Sequence, residues 1–251
     1  MSHHTPIQSP EGTLMADRTV GEIVAENPSL SRVFQSYKLD FCCQGAKTLR
    51  QACENKSLSL DEVSAALAKE ASSTNEPANN PAQLPAIELA DYIIETHHGY
   101  LRQELPRVHT MAERVAQVHG PRNPSLIQVY EVFSKLFSEL DSHMRKEEEI
   151  LFPTIKAIFS DPSDEPALSG SIEHPVAQMM HEHEEAGQAL ELLRKLTNDF
   201  HPPTDACNTY RALFSGLKDL EEDTHRHIHL ENSVLFPLAI SRYAEMNTSP
   251  I

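Results

Sequence analysis

The chain has no tryptophan, only 6% aromatic residues and eight glycines in 251 positions. No stretch alternates apolar and polar residues as a half-buried strand does, so a β-sandwich or barrel is excluded. No apolar run approaches the ~20 residues that a membrane-spanning helix needs, and no membrane partner is expected. Basic residues are the minority charge, 21 Lys and Arg against 37 Asp and Glu, for a formal net charge of −16. They form no patch, which argues against nucleic acid or an anionic lipid surface as the main partner. Cysteine is sparse as well. Cys42, Cys43, Cys53 and Cys207 are too few to scaffold a chain of this length, and neighbours such as Cys42 and Cys43 bond to each other only with strain. A reducing compartment, the cytoplasm, is the expectation. The polar start of the chain, with His3, His4 and two prolines, lacks an apolar h-region and reads as a disordered tail rather than a signal peptide.

What the chain has in quantity is histidine, 14 in all, mostly beyond residue 96. One pattern occurs twice: His143-x-x-x-Glu147 followed by Leu151-Phe152-Pro153, and His227-x-x-x-Glu231 followed by Leu235-Phe236-Pro237. Residues four apart lie one above the other on a helix, so each copy points an imidazole and a carboxylate the same way. Both pairs fall on the apolar stripe of their segment: Val129, Val132, Leu136 and Leu140 lead to the first, Leu213, Leu217, Leu220 and Thr224 to the second. A charge turned toward a core costs several kcal/mol, on the order of its desolvation, unless it is partnered. A metal ion supplies that partner. A lone His on an apolar face is usually a hydrogen-bonded core residue, and a lone His-x-x-x-Glu pair is usually a surface ion pair; two copies in one register shift the balance toward ligands.

Helix signals start at Thr19-Val-Gly-Glu22, a capping box, and recur at Asn27-Pro28 and Ser59-Leu-Asp-Glu62. Residues 18–70 therefore read as a small helical domain with a cysteine-bearing turn, after a tail at 1–17. Residues 71–85, rich in Ser, Asn, Pro and Ala, read as a linker. Residues 86–245 then hold four long amphipathic segments, at about 86–118, 125–159, 172–199 and 205–242. Joined by short loops, these predict an all-α antiparallel four-helix bundle. Kinks or helix ends are expected near Pro106, Pro153, Pro175 and Pro237.

The first and third segments carry the histidine pairs that complete a site. On the third, Val176, Met179, His183, Ala186 and Leu190 form one stripe, which favours His183 and leaves His181 on the polar side. On the first, spacing leaves His97 and His98 equal. His225 and His229 lie roughly 200° around the helix from His227, on its expected wet side. His109, His119, His174 and His201 read as structural or exposed. Glu148, Glu149, Glu221 and Glu222 read as solvated faces, with Glu148 a candidate to support a ligand. Four histidines and two glutamates suit a dinuclear non-haem iron centre, carboxylate- and oxo- or hydroxo-bridged, better than a four-ligand zinc site; manganese fits the same donors.

The turn Asp40-Phe41-Cys42-Cys43-x-Gly45, followed by two His-x-x-x-Glu…Leu-Phe-Pro segments, resembles the repair-of-iron-centres family, whose bundle is hemerythrin-like. The resemblance runs from about residue 18 to 240. The family's first-helix ligand precedes an Arg-x-x-Leu-Pro run, here Arg102 to Pro106, and that register selects His98. Its third-helix motif matches His183-Glu184-Glu185-Ala186-Gly187. By resemblance the metal ligands are His98, His143, Glu147, His183, His227 and Glu231, holding two iron ions per chain. One departure is visible: Gln44 stands where the family often has glycine.

The resemblance implies a protein that repairs iron–sulfur clusters damaged by nitric oxide or peroxide, by donating iron to the damaged proteins. NO or O2 would be its small ligands, Cys42 and Cys43 candidate relay thiols or simply small turn residues, and the small domain invites a homodimer. The alternatives are sequestration of NO, reduction of NO or peroxide, reversible O2 carriage and a purely structural bundle. O2 carriage in true hemerythrins uses a fifth histidine, for which the stripe offers no clear candidate.

Overall fold

The computed structural model describes residues 15–73, 80–160 and 171–248. His3, His4, most of the expected tail, the middle of the 71–85 linker and the break at 161–170 lie outside them. Among the described residues the chain is helical, and its one extended pairing is an isolated bridge between Thr19 and Thr48. Two compact units are present, one of residues up to Leu84 with the helical segment His229–Val234, the other of Pro85–Ile228 and Leu235–Ile251.

The first unit contains α1 (Val20–Glu26), α2 (Ser31–Ser36), α3 (Leu49–Asn55) and α4 (Leu60–Ser73). The cap signals act as their chemistry requires. Thr19 Oγ1 accepts from the Glu22 backbone N–H while Glu22 accepts from the Thr19 N–H, and Thr48 and Gln51 repeat this box at α3. Asn27 caps the 3-10 turn Pro28–Leu30 that leads into α2. Lys38, at φ 54°, ends α2 in the left-handed region, and the Leu39 N–H closes back on the Phe34 carbonyl at 2.8 Å. Val20, Ile23, Phe34, Phe41, Leu49, Val63 and Leu67 are buried and form the apolar interior of this unit.

The turn after α2 closes around Gly45. A Cβ there would lie 2.8 Å from the Phe41 carbonyl oxygen, so a side chain does not fit without backbone movement. Gln44, by contrast, is exposed. The departure from a double glycine is therefore accommodated at the one position of the pair that has room.

The second unit carries the bundle apart from His229–Val234. Its first helix, α5, runs continuously through Ala86–Ile93, a π turn at Ile94–His98 and Gly99–His119. The second, α6, comprises Ser125–Lys146, a π turn at Glu147–Leu151 and Phe152–Phe159; the third, α7, is Glu173–Leu196. The fourth, α8, comprises Asn208–Leu230, a π turn at Glu231–Leu235 and Phe236–Thr248. Leu101, Val108, Val129, Phe133, Leu136, Leu190, Leu213 and Leu217 belong to one buried apolar cluster. Burying each such side chain contributes about 1.5–3 kcal/mol.

The prolines behave in two ways. Pro153 and Pro237 lack the N–H that an α-helix would direct at Glu149 and Ser233. In both helices the residues just before them form a π turn instead. Pro106 does not end its helix: Gly99–His119 passes through it, and the Pro106 carbonyl accepts from Thr110 Oγ1 at 2.9 Å. No proline accompanies the π turn at Ile94–His98.

Candidate metal centre

Each π turn begins or ends on a predicted ligand: Ile94–His98 ends on His98, Glu147–Leu151 begins on Glu147, and Glu231–Leu235 begins on Glu231. The extra residue in such a turn re-aims the side chains at its edge. His98, Glu147 and Glu231 are each 0% exposed, with His227 at 1%, His183 at 2% and His143 at 3%.

These six residues fall into two overlapping groups. His98, Glu147, His227 and Glu231 bring one donor atom each within 4.8 Å of one another, and His143, Glu147, His183 and Glu231 do the same. The two glutamates are common to both. Glu147 shows how the sharing works. Its Oε2 lies 3.3 Å from His98 Nε2 and 3.9 Å from His227 Nε2, while its Oε1 lies 3.1 Å from His143 Nε2 and 4.0 Å from His183 Nε2.

Within each group two imidazoles meet nitrogen to nitrogen. His98 Nε2 and His227 Nε2 are 3.2 Å apart, and His143 Nε2 and His183 Nε2 are 3.0 Å apart. The opposite ring nitrogens decide what these are. His98 Nδ1 lies 2.6 Å from Glu148 Oε1, and His143 Nδ1 lies 2.9 Å from Glu182 Oε2. A carboxylate only accepts, so each Nδ1 carries a proton, which leaves Nε2 as the nitrogen each ring can offer to a metal. Two nitrogens at right angles around an ion ~2.1 Å away would be ~3 Å apart. Buried N and O donors, two imidazoles with carboxylate at each position, and this spacing fit a non-haem iron site.

The two carboxylates behind the histidines are themselves held. Arg102 Nη2 reaches Glu148 Oε2 at 2.6 Å, and Glu182 receives Lys146 and, at 2.9 Å, Gln178 Nε2. The His143 hydrogen bond, with those of Lys146 and Gln178 against the opposing effect of burial, holds the Glu182 carboxyl well below its usual range. Burial would raise Glu148, but the Arg102 and His98 hydrogen bonds outweigh it and lower that carboxyl too. Such outer carboxylates orient the ring and raise its basicity toward a metal.

Aromatic rings set the planes of two of the histidines. His183 stacks on Phe236 with centroids 6.0 Å apart and planes within 1°, and His98 stacks on Phe152 at 5.8 Å. The two Leu-Phe-Pro repeats are thus explained twice over: the proline accompanies the π turn, and the phenylalanine is a stacking plate for a histidine of another helix. His97, the rival to His98 on spacing, is also buried but is engaged elsewhere. Its Nδ1 lies 3.0 Å from Asp223 Oδ1, and its ring stacks on His227 at 5.7 Å.

Several expectations need correction. His229, expected on the wet side, is 4% exposed and packs edge-on against Phe41 at 5.7 Å; burial pushes its pKa down to about 4. Glu221, expected on a solvated face, is 3% exposed and paired with Arg194, whose Nε lies 3.0 Å from Glu221 Oε1. The alternation that suggests a wet face fails where another segment covers the helix. Glu182 and Asp223 were not foreseen as partners of histidines, because both contacts cross between helices. A trace of Glu148's role was present, since Arg102 sits four residues after His98 and faces the same acid.

Residues 89–239 match the family description "Hemerythrin HHE cation binding domain", and residues 16–71 match the ScdA_N "Domain of Unknown function". A relative from Edwardsiella ictaluri is 39% identical over 89% of this chain and 97% of its own length. One from Escherichia coli O1:K1 is 37% identical over 90% of this chain and 97% of its own, and one from Pectobacterium atrosepticum 36% over 89% and 97%. The chain belongs to the hemerythrin-like iron–sulfur cluster repair family. Each of those three relatives carries the name "Iron-sulfur cluster repair protein YtfE". His98, chosen by resemblance, and His183, chosen from the apolar stripe, are the first-helix and third-helix histidines grouped with the two His-x-x-x-Glu pairs.

Proposed function

We propose that the chain holds two iron ions, one between His98 and His227 and one between His143 and His183, with Glu147 and Glu231 bridging both. It would repair iron–sulfur clusters damaged by nitrosative or oxidative stress by donating that iron. The observation that carries the reading is Glu147, whose two carboxylate oxygens each face a different histidine pair. The name borne by its relatives supplies the acceptor: damaged iron–sulfur proteins.

Bound iron would supply both the cargo and the position at which NO or O2 enters. The protein's own part is to keep the donors dry and aimed. Glu148 and Glu182 fix the Nδ1 protons of His98 and His143, and Phe152 and Phe236 fix the ring planes of His98 and His183. No thiolate is among these six donors. Imidazole and carboxylate donors release Fe(II) more readily than a thiolate cage, which suits a donor.

The test is iron per chain after anaerobic loading, before and after incubation with an iron–sulfur enzyme whose cluster NO has damaged. Two irons loaded, iron lost and enzyme activity regained is the expected result. Iron that loads and stays, with NO bound, would instead make the protein an NO-sequestering one. Failure to load a second iron would overturn the shared-carboxylate site.

A further inference from the structure

The first unit contains a separate cluster of ligating side chains. Asp40, Cys42 and Cys43 bring a carboxylate oxygen and two sulfurs within 4.8 Å of one another. We propose that these three residues form a second, mononuclear metal site for a thiophilic divalent ion, tetrahedral, with its fourth position open to solvent or to another ligand. It shares no donor with the bundle's iron site and does not rest on the reading of that site.

The spacing carries the argument. Cys42 Sγ and Cys43 Sγ are 3.7 Å apart. A disulfide would put them at ~2.05 Å, and two thiolates in line through one ion at ~4.6 Å; two thiolates on a tetrahedral ion ~2.3 Å away are ~3.8 Å apart. The Cys42 thiol donates to Asp40 Oδ1 at 3.3 Å, a proton that a bound ion would replace, and the distance is close to the ~3.5 Å that a carboxylate oxygen and a sulfur span on the same tetrahedron.

Local structure explains how consecutive cysteines face one way. Asp40 Oδ1 accepts from the backbone N–H of Cys42 at 3.0 Å and of Cys43 at 2.9 Å, curling the chain around the carboxylate. Phe41 is buried between them and anchors the turn, and the close approach at Gly45 shuts its far end. Asp40 and Cys43 are half-buried while Cys42 is buried, so an ion could enter from one side. The backbone bonds account for the turn. They do not require the two sulfurs to converge.

Cobalt(II) titration of the full, reduced chain tests this, because histidine and carboxylate donors give no thiolate-to-cobalt charge-transfer band. The expected result is such a band in the near ultraviolet with the visible spectrum of a tetrahedral ion. With the bundle already loaded with iron, it should saturate at one cobalt per chain and be bleached by zinc. Cys43→Ser should strip most of it, and Cys42→Ser with Cys43→Ser all of it. Cys207→Ser should retain it; Cys207 Sγ lies 3.3 Å from His119 Nε2 and is the rival thiol. Far-ultraviolet circular dichroism and bundle iron content check that each variant is folded. Absence of the band in the wild type would overturn the proposal, and so would a band that survives Cys43→Ser or is lost with Cys207→Ser; the two cysteines would then be a thiol–thiol contact alone.

Discussion

Replacing Glu147 by leucine should move the stability of the metal-free and metal-loaded protein in opposite directions. The carboxylate is 0% exposed and sits 3.1 Å from His143 Nε2 and 3.3 Å from His98 Nε2. Without metal, it is a buried charge whose desolvation costs several kcal/mol, offset only as far as the imidazoles take up protons. Leucine removes that cost. Exchanging a buried ionic group for an apolar one of similar volume is neutral or stabilising, by about 2 kcal/mol here, or ~4–8 °C in Tm for a chain of this size. With metal, the sign reverses. One ion at a hundredfold excess over its Kd adds about 2.7 kcal/mol, so losing two ions removes about 5 kcal/mol; against the gain of about 2 kcal/mol the loaded variant falls by about 3 kcal/mol, or ~6–12 °C. The assay is differential scanning calorimetry of chelated and anaerobically Fe(II)-loaded samples of both proteins, with metal content measured on each. If Glu147→Leu lowered both melting temperatures equally and the metal-induced gain survived, the carboxylate would be a structural ion-pair hub and the bridging argument would fail.

The outer carboxylates offer a gentler perturbation. Glu182→Ala and Glu148→Ala should each weaken iron binding by about 10–100-fold without removing a ligand, as read by competition with a chromophoric chelator; unchanged affinity would show that the Nδ1 contacts are incidental. Arg194→Leu should cost about 3–5 kcal/mol by stranding the buried Glu221, whereas Arg194→Leu with Glu221→Leu should recover most of it in thermal melts. A double variant no more stable than the single one would count against this. Glu22 makes a pH prediction: hydrogen bonds from Thr19, the backbone one first, hold its carboxyl below the ordinary 4.5. A depressed acid contributes stability that is full above the unfolded pKa and lost as pH falls through the folded value. NMR titration should find Glu22 below 4.5, and Thr19→Ala, which keeps the backbone N–H, should move it part of the way back up; no movement would remove the Thr19 side chain as a cause.

The sequence alone determined the helices, their caps and the shared direction of each His-x-x-x-Glu pair, because these depend on contacts within four residues along one chain. It also placed His183, since an apolar stripe records which face turns inward. It could not separate His97 from His98 on spacing, for both fall near the seam; the resemblance chose. Tertiary structure decided what lay between helices. It gave His98 and His143 their acids, Glu148 and Glu182, and gave His97 to Asp223. It buried His229 and Glu221, which periodicity had put in water. It also set the π turn at Ile94–His98, which no proline announces. Periodicity reports how a helix is divided into faces, but a polar side chain's partner is set by which other helix arrives there, and that is a property of packing rather than of any local run of residues.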